Sequence, residues 1–177
     1  MKKKKLFFYL IIFFIFTNCG YEPIYSKNIN TNKELLSISV KNIKDRPGQI
    51  LRNSLLNKIN PHRERVIKKY RLIIEITESK TELGYRRDMS ATRSDLTITV
   101  KYSLINIKNG EILIEEDAKS ISSFDVVESV YATLIAENDA REKSLKILSD
   151  DIFTNLAIFF KKKQSLSFKY SANFNFI

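Results

Sequence analysis

The apolar positions of the chain change period several times, and each change predicts an element. Residues 6–16 are continuously apolar, whereas residues 21–33 are polar, rich in Asn and Lys, and read as a linker. Leu36, Ile38 and Val40 then alternate with Ser37, Ser39 and Lys41, the period of a half-buried strand. Asp45 is a candidate acidic cap, and Pro47 stands in the first turn, where its missing N–H costs nothing. Ile50, Leu51, Leu55 and Ile59 share one face of the helix that follows, and Asn60-Pro61 ends it.

Tyr70, Leu72, Ile74 and Ile76 predict a second strand, with Arg71 and Glu75 on its other face. Strand, short helix and strand in succession imply a right-handed crossover between parallel strands. Leu96, Ile98, Val100, Tyr102 and Leu104 give the cleanest alternation, and the strand runs into Asn109-Gly110, the signature of a type I′ hairpin. Ile112 and Ile114 open the return strand, which turns polar from Glu115 to Lys119. From Ser129 the period becomes helical: Leu134, Leu145, Leu148, Ile152, Leu156 and Phe159 form a stripe. Glu137 with Arg141, Asp139 with Lys143 and Glu142 with Lys146 are i,i+4 pairs, acid first. Lys161, Lys162 and Lys163 stand where a helix end favours cations. About 30 residues of helix reach roughly 45 Å. The expected fold class is α+β: a two-layer sandwich of a four-stranded mixed sheet with one short and one long C-terminal helix on one face.

The first apolar run carries a different message. Lys2, Lys3, Lys4 and Lys5 precede it, and its length suits a secretory h-region. A membrane-spanning helix needs about 20 apolar residues, well beyond this run. The chain's one cysteine, Cys19, closes the segment, preceded by Phe16, Thr17 and Asn18 and followed by Gly20. This resembles the bacterial lipobox, in which the chain is cut before a cysteine that then carries acyl chains. Thr17 fits that pattern, while Phe16 and Asn18 depart from its commoner residues. An uncleaved signal anchor and a plain buried thiol are the alternatives. The tether reading divides the chain into a signal peptide (1–18), a lipidated cysteine and linker (19–33), the α+β domain (34–160) and a basic C-terminal tail (161–177).

Cleavage at Cys19 changes the charge argument. The whole chain has a formal charge of +10, of which four charges lie in residues 2–5. The remainder is modest and partly concentrated at Lys161, Lys162, Lys163 and Lys169. No nucleic-acid motif is visible and export argues against one, so acidic lipid or glycolipid is the partner this charge suits. No second cysteine exists to make an intrachain disulfide, so the fold must stand on its core.

A catalytic set is not visible. His62 is the only histidine and lies in a polar run after Pro61. Asp150-Asp151 reads as a solvated helix surface, and four glycines in the whole chain leave no phosphate-cradling loop. No enzyme activity, metal or cofactor is expected. The stretch YRRDMSATR (residues 85–93) is distinctive. Arg86, Arg87 and Arg93 could grip phosphates bidentately. The alternative is that Arg93 pairs with Asp88 or Asp95 and blunts a sheet edge.

Three segments, CGYEPIY (19–25), RDMSATRSDLTITVKYSL (87–104) and YATLIAENDAREKSLKILSDDI (131–152), stand in an order and spacing that resembles the LptE family of lipopolysaccharide-assembly lipoproteins, in its alphaproteobacterial branch. The resemblance implies an outer-membrane lipoprotein, on the periplasmic side, seated in the LptD β-barrel. There it would act as plug and assembly partner and help pass lipopolysaccharide to the cell surface. It also implies two helices on a four-stranded sheet, and basic residues as the glycolipid contacts. Matching positions are Arg86, Arg87 and Arg93, with Lys101, mid-strand, as a fourth. Gly20 rather than Asp after the cysteine accords with release to the outer membrane. A free-standing periplasmic lipoprotein that binds an acidic envelope ligand, or scaffolds another complex, is the alternative function.

Overall fold

The computed structural model describes residues 29–85 and 91–173. The elements are α1 (Ile29–Leu36), β1 (Ile38–Val40), α2 (Asp45–Ile59), β2 (Tyr70–Tyr85), β3 (Ala91–Asn106), β4 (Ile112–Asp125) and α3 (Val130–Asn173). The four strands form one mixed sheet in the order β1-β2-β3-β4. β1 and β2 are parallel, with α2 in the connection, and the remaining pairs are antiparallel. The α+β sandwich expected from the periodicity is the fold observed.

Strict alternation decides which face is covered. Leu72 and Ile74 on β2, and Leu96, Ile98, Val100, Tyr102 and Leu104 on β3, are buried beneath the helices. From α2 come Leu51, Leu55 and Ile59, and from α3 Leu145, Leu148, Ile152, Leu156 and Phe160. Two serines let α3 approach closely. The Ser149 and Ser54 hydroxyls lie 2.7 Å apart between α3 and α2, and those of Ser144 and Ser122 lie 2.7 Å apart between α3 and β4. Both α3 serines are fully buried, so these bonds satisfy groups that would otherwise be costly to bury.

Buried tyrosines lock the layers. Tyr102 Oη donates to Glu116 at 2.7 Å and accepts from Asn155 of α3 at 3.1 Å. Tyr70 Oη donates to Glu34 of α1 at 2.7 Å, and its ring lies 5.1 Å from that of Phe160. Burial, reinforced in each case by the neighbouring carboxylate, pushes both hydroxyls up to about 12; the Asn155 bond opposes this only in part at Tyr102.

Several local expectations need correction. Asp45 is not a side-chain cap: Lys44 holds the N-cap position without a capping bond, and Asp45 itself takes φ +65°. Its carboxylate acts only as first-turn charge. The β3–β4 connection is a five-residue loop (107–111) rather than a two-residue type I′ turn. Asn106 Oδ1 accepts from the Lys108 N–H, closing an Asx turn early, and Gly110 alone in this loop takes positive φ, at +72°. A bulge follows, Leu104 facing Ile114 while Ile105 faces Ile112. Leu36 belongs to α1 rather than to the first strand, and α1 begins at Ile29, inside the stretch read as linker.

The long helix departs most. It has 44 residues, about 66 Å at 1.5 Å each, and continues through the lysines to Asn173. Among the described residues its buried face runs from Ala140 to Phe160. Leu134, placed in the core stripe by its spacing, is 53% exposed, and Phe160 rather than half-buried Phe159 closes the stripe. Glu137–Arg141 and Asp139–Lys143 form as expected, at 2.7 and 2.6 Å, whereas Glu142 and Lys146 make no ion pair.

Truncating Leu148 or Ile152 to Ala should cost about 2–5 kcal/mol in denaturant unfolding. Leu134→Ala, at an exposed position, should change stability by less than about 0.5 kcal/mol. An equal loss at Leu134 would mean that the helix buries its first turns as well.

The tyrosines predict an alkaline transition. A hydroxyl whose pKa is raised in the folded state contributes stability below the unfolded tyrosine value, near 10, and loses it as pH rises toward 12. Melting temperature should therefore fall between pH 10 and 12, and Tyr70→Phe with Tyr102→Phe should flatten that fall. Parallel pH profiles for wild type and double variant would contradict it.

Candidate functional site

The sandwich has two chemically different ends and one bare face. The distal end holds the close of β2, the start of β3, the close of β4 and the start of α3. Tyr85 pairs with Ala91 at the far end of a long β2–β3 hairpin. Arg86 and Arg87 lie outside the described residues. Arg93 is on β3 rather than in a loop, exposed, opposite Leu83 on one side and Asp125 on the other. It forms no ion pair with Asp95, whose Oδ1 accepts from Ser123 Oγ, and Asp88 lies outside the described residues.

Lys101 sits elsewhere, midway along the face of the sheet that no helix covers. Its register neighbours are Glu75 on β2 and Asp117 on β4. A lysine flanked by carboxylates on both sides is a poorer anion site than Arg93, since the local field is already balanced. The fold thus separates Lys101 from the hairpin tip.

The distal end also carries apolar groups that the sequence reading assigned to the core or passed over. Val130 is 83% exposed and Tyr131 74%, and Leu134, Ile135, Val127 and Leu83 are exposed with them. The signal was present in the sequence. Residues 130–136, VYATLIA, are apolar around nearly the whole helix circumference, and a helix lying on a sheet can bury only one side. Val126 N–H donates to Thr92 O at 2.9 Å, which brings the chain leading into α3 beside Arg93. A cation and an apolar helix turn therefore share one end.

Behind this surface an ion-pair network fixes the helix to the hairpin. Arg141 Nε donates to both Glu78 oxygens, at 3.0 and 3.2 Å, and its Nη2 to Glu137 at 2.7 Å. Lys80 reaches Glu137 at 3.1 Å and stands 6.0 Å from the centre of the Phe124 ring. Burial would raise the Glu137 carboxyl, but its bonds to Arg141 and Lys80 outweigh this and hold it below its ordinary value.

The uncovered sheet face is largely polar: Thr77, Thr99 and Lys119 lie abreast, as do Thr81, Asp95 and Ser123, with Ile121 and Leu83 exposed among them. Such a surface offers hydroxyls and balanced charge to a partner rather than an apolar patch. His62 is exposed in the α2–β2 connection, and Asp150 pairs with Lys58 of α2. Among the described residues no group of three or more His, Cys, Asp or Glu is placed to hold a metal ion, and no helix is long and apolar enough to cross a membrane.

A mixed sheet with its helices on one side and a bare, largely polar face on the other define the class: an α+β sandwich of the type found in lipoprotein structures. The Caulobacter crescentus CB15 structure described as a candidate lipoprotein superposes with a TM-score of 0.61 at 21% identity, over 75% of this chain and 97% of the other. Rare lipoprotein B from Shewanella oneidensis superposes with a TM-score of 0.55 at 10% identity, over 73% and 96%. At such identities these likenesses concern the fold. In sequence, an uncharacterized protein of Rickettsia prowazekii (strain Madrid E) is 25% identical over 156 residues, 88% of this chain and 98% of that protein. The family model for LptE, lipopolysaccharide-assembly, matches residues 35–156, and the chain belongs to this family.

Proposed function

We propose that this protein is an outer-membrane lipoprotein, tethered on the periplasmic side through Cys19, that seats in an LptD-like β-barrel as plug and assembly partner and assists transfer of lipopolysaccharide to the cell surface. Membership of the lipopolysaccharide-assembly family supports the setting. The observation that carries the reading is the distal end. Arg93, on the uncovered sheet face, and the exposed apolar turns of α3, on the helix side, both stand at that end, and a ligand that carries phosphates and acyl chains could span them. Arg86 and Arg87 belong to the same hairpin in sequence and are assigned to the same role. Lys101, boxed by Glu75 and Asp117, is assigned to contact with the barrel wall, where the polar sheet face suits hydrogen bonding.

This role involves no turnover and no cofactor. It needs a rigid body, which the α3 seam supplies, and charge-assisted contacts at one end. Arg87→Ala with Arg93→Ala should weaken binding of the purified protein to lipopolysaccharide, and the weakening should shrink at high ionic strength, where the charge contribution is screened. The thermal melt should stay within a degree or two, because exposed substitutions rarely change stability by more than about 0.5 kcal/mol. Co-purification with the barrel should persist, since that interface is much larger. Unchanged binding would remove the arginines from the site, and a collapsed melt would make them structural.

The tether has its own test. Cys19→Ser should abolish incorporation of a palmitate analogue and reduce retention in outer-membrane fractions. Equal labelling of wild type and variant would end the lipoprotein reading.

A further inference from the structure

The end opposite the hairpin tip has a character of its own. The chain enters the fold there through α1, and three other segments gather around it. These are the α2–β2 connection, the β3–β4 loop and the last turns of α3. Ile107 N–H donates to Lys69 O at 2.9 Å, joining the two loops. Lys68 Nζ donates to Leu36 O at 2.8 Å, and Lys163 Nζ stands 5.4 Å from the centre of the Tyr70 ring. The four segments therefore make one continuous surface.

That surface is cationic. Arg63, Arg65, Lys108, Lys162 and Lys163 are all exposed on it. Three carboxylates accompany them. Glu34 is engaged by Lys69 and Tyr70, Glu111 accepts from the Asn109 amide, and Glu64 stands between the two arginines in sequence. Positive charge also dominates onward along the chain, for residues 152–177 contain four lysines and no Asp or Glu. Apolar side chains stand among the cations: Ile67 is 86% exposed, and Ile107, Ile112 and Leu166 are exposed as well. Isoleucine held in water amid lysine and arginine is the composition of an interfacial membrane-binding surface.

We infer that this proximal end is a second membrane contact, which lies on anionic phospholipid headgroups and inserts Ile67 at the headgroup boundary. The inference draws part of its support from the Cys19 tether proposed above. Nine residues, 20–28, lie between Cys19 and Ile29, a reach of at most about 36 Å over ten Cα steps, so a tether at Cys19 keeps this end near the bilayer. The charge and the isoleucines do not depend on that tether. Phospholipid rather than glycolipid is the assigned ligand because α1, the first described element after Cys19 in sequence, belongs to this end, while Arg93 lies at the far end of the sheet.

The test uses the unlipidated chain from Gly20 onward, which contains every described core residue, so the anchor plays no part. Its partitioning is measured by sedimentation with vesicles of phosphatidylethanolamine and phosphatidylglycerol, beside vesicles of phosphatidylcholine. Wild type should bind the anionic vesicles and not the neutral ones. The triple change Arg65→Gln, Lys108→Gln and Lys162→Gln should weaken partitioning about a hundredfold, near fivefold per charge. A control of equal charge, Lys119→Gln, Lys143→Gln and Lys146→Gln, should change it much less. Ile67→Ser alone should weaken partitioning several-fold without altering the melt. Absence of binding to anionic vesicles, or equal losses in test and control triples, would overturn the inference. So would loss of lipopolysaccharide binding in the test triple with vesicle partitioning intact, which would give this end to the glycolipid. Failure of the palmitate labelling at Cys19 would leave this vesicle result standing, so the two readings fail separately.

Discussion

Everything else in the molecule depends on the seam between the long helix and the sheet. Leu145, Leu148, Ile152 and Leu156 are fully buried there, and the serine pairs at Ser144 and Ser149 let the helix lie close without stranding a hydroxyl. A helix of about 66 Å rests on strands whose longest, at 16 residues, span about 53 Å. The seam occupies only its middle. Both ends of the helix are consequently delivered to the surface, and their sequences differ: apolar at the start, basic at the finish. The seam is thus the reason that one domain can present two unlike ends.

The parts of the molecule divide labour along that axis. The distal end couples an arginine to exposed apolar turns and is braced from behind by the Arg141, Glu78, Glu137 and Lys80 network. At the proximal end, cations gather around the entry of the chain, and Tyr70 ties α1 to both β2 and α3. Between them the uncovered sheet face offers hydroxyls and charges of both signs. A single rigid layer of helices makes the separation between the ends fixed, so contacts at one end do not compete for the same surface as contacts at the other.

Much of this was legible in the chain because strict alternation admits only one folded solution. β3 shows it best: Leu96 through Leu104 read as a strand buried on one face, and the structure buries those five residues under the helices. What the sequence could not convey were features decided by tertiary geometry. Leu134 has core spacing but lies beyond the reach of the sheet, so its period alone misplaces it. Asn109-Gly110 has the composition of a tight turn, but the Asn106 side chain starts the loop earlier. Arg93 and Lys101 stand eight residues apart on one strand and look equivalent in sequence. Only the register, which sets two carboxylates, Glu75 and Asp117, beside mid-strand Lys101 and one, Asp125, beside Arg93 near the end of the hairpin, tells them apart. The basic tail was visible as composition, whereas its meeting with Arg63, Arg65 and Ile67 required the fold.

The account's central claim is the opposed chemistry of the two ends in the working protein. Photo-crosslinking in intact cells tests it most directly, with a photoreactive residue placed at Tyr131 in one strain and at Lys162 in another. The account predicts lipopolysaccharide adducts from position 131 and phospholipid adducts from position 162. The reverse pattern, or the same adducts from both positions, would contradict it.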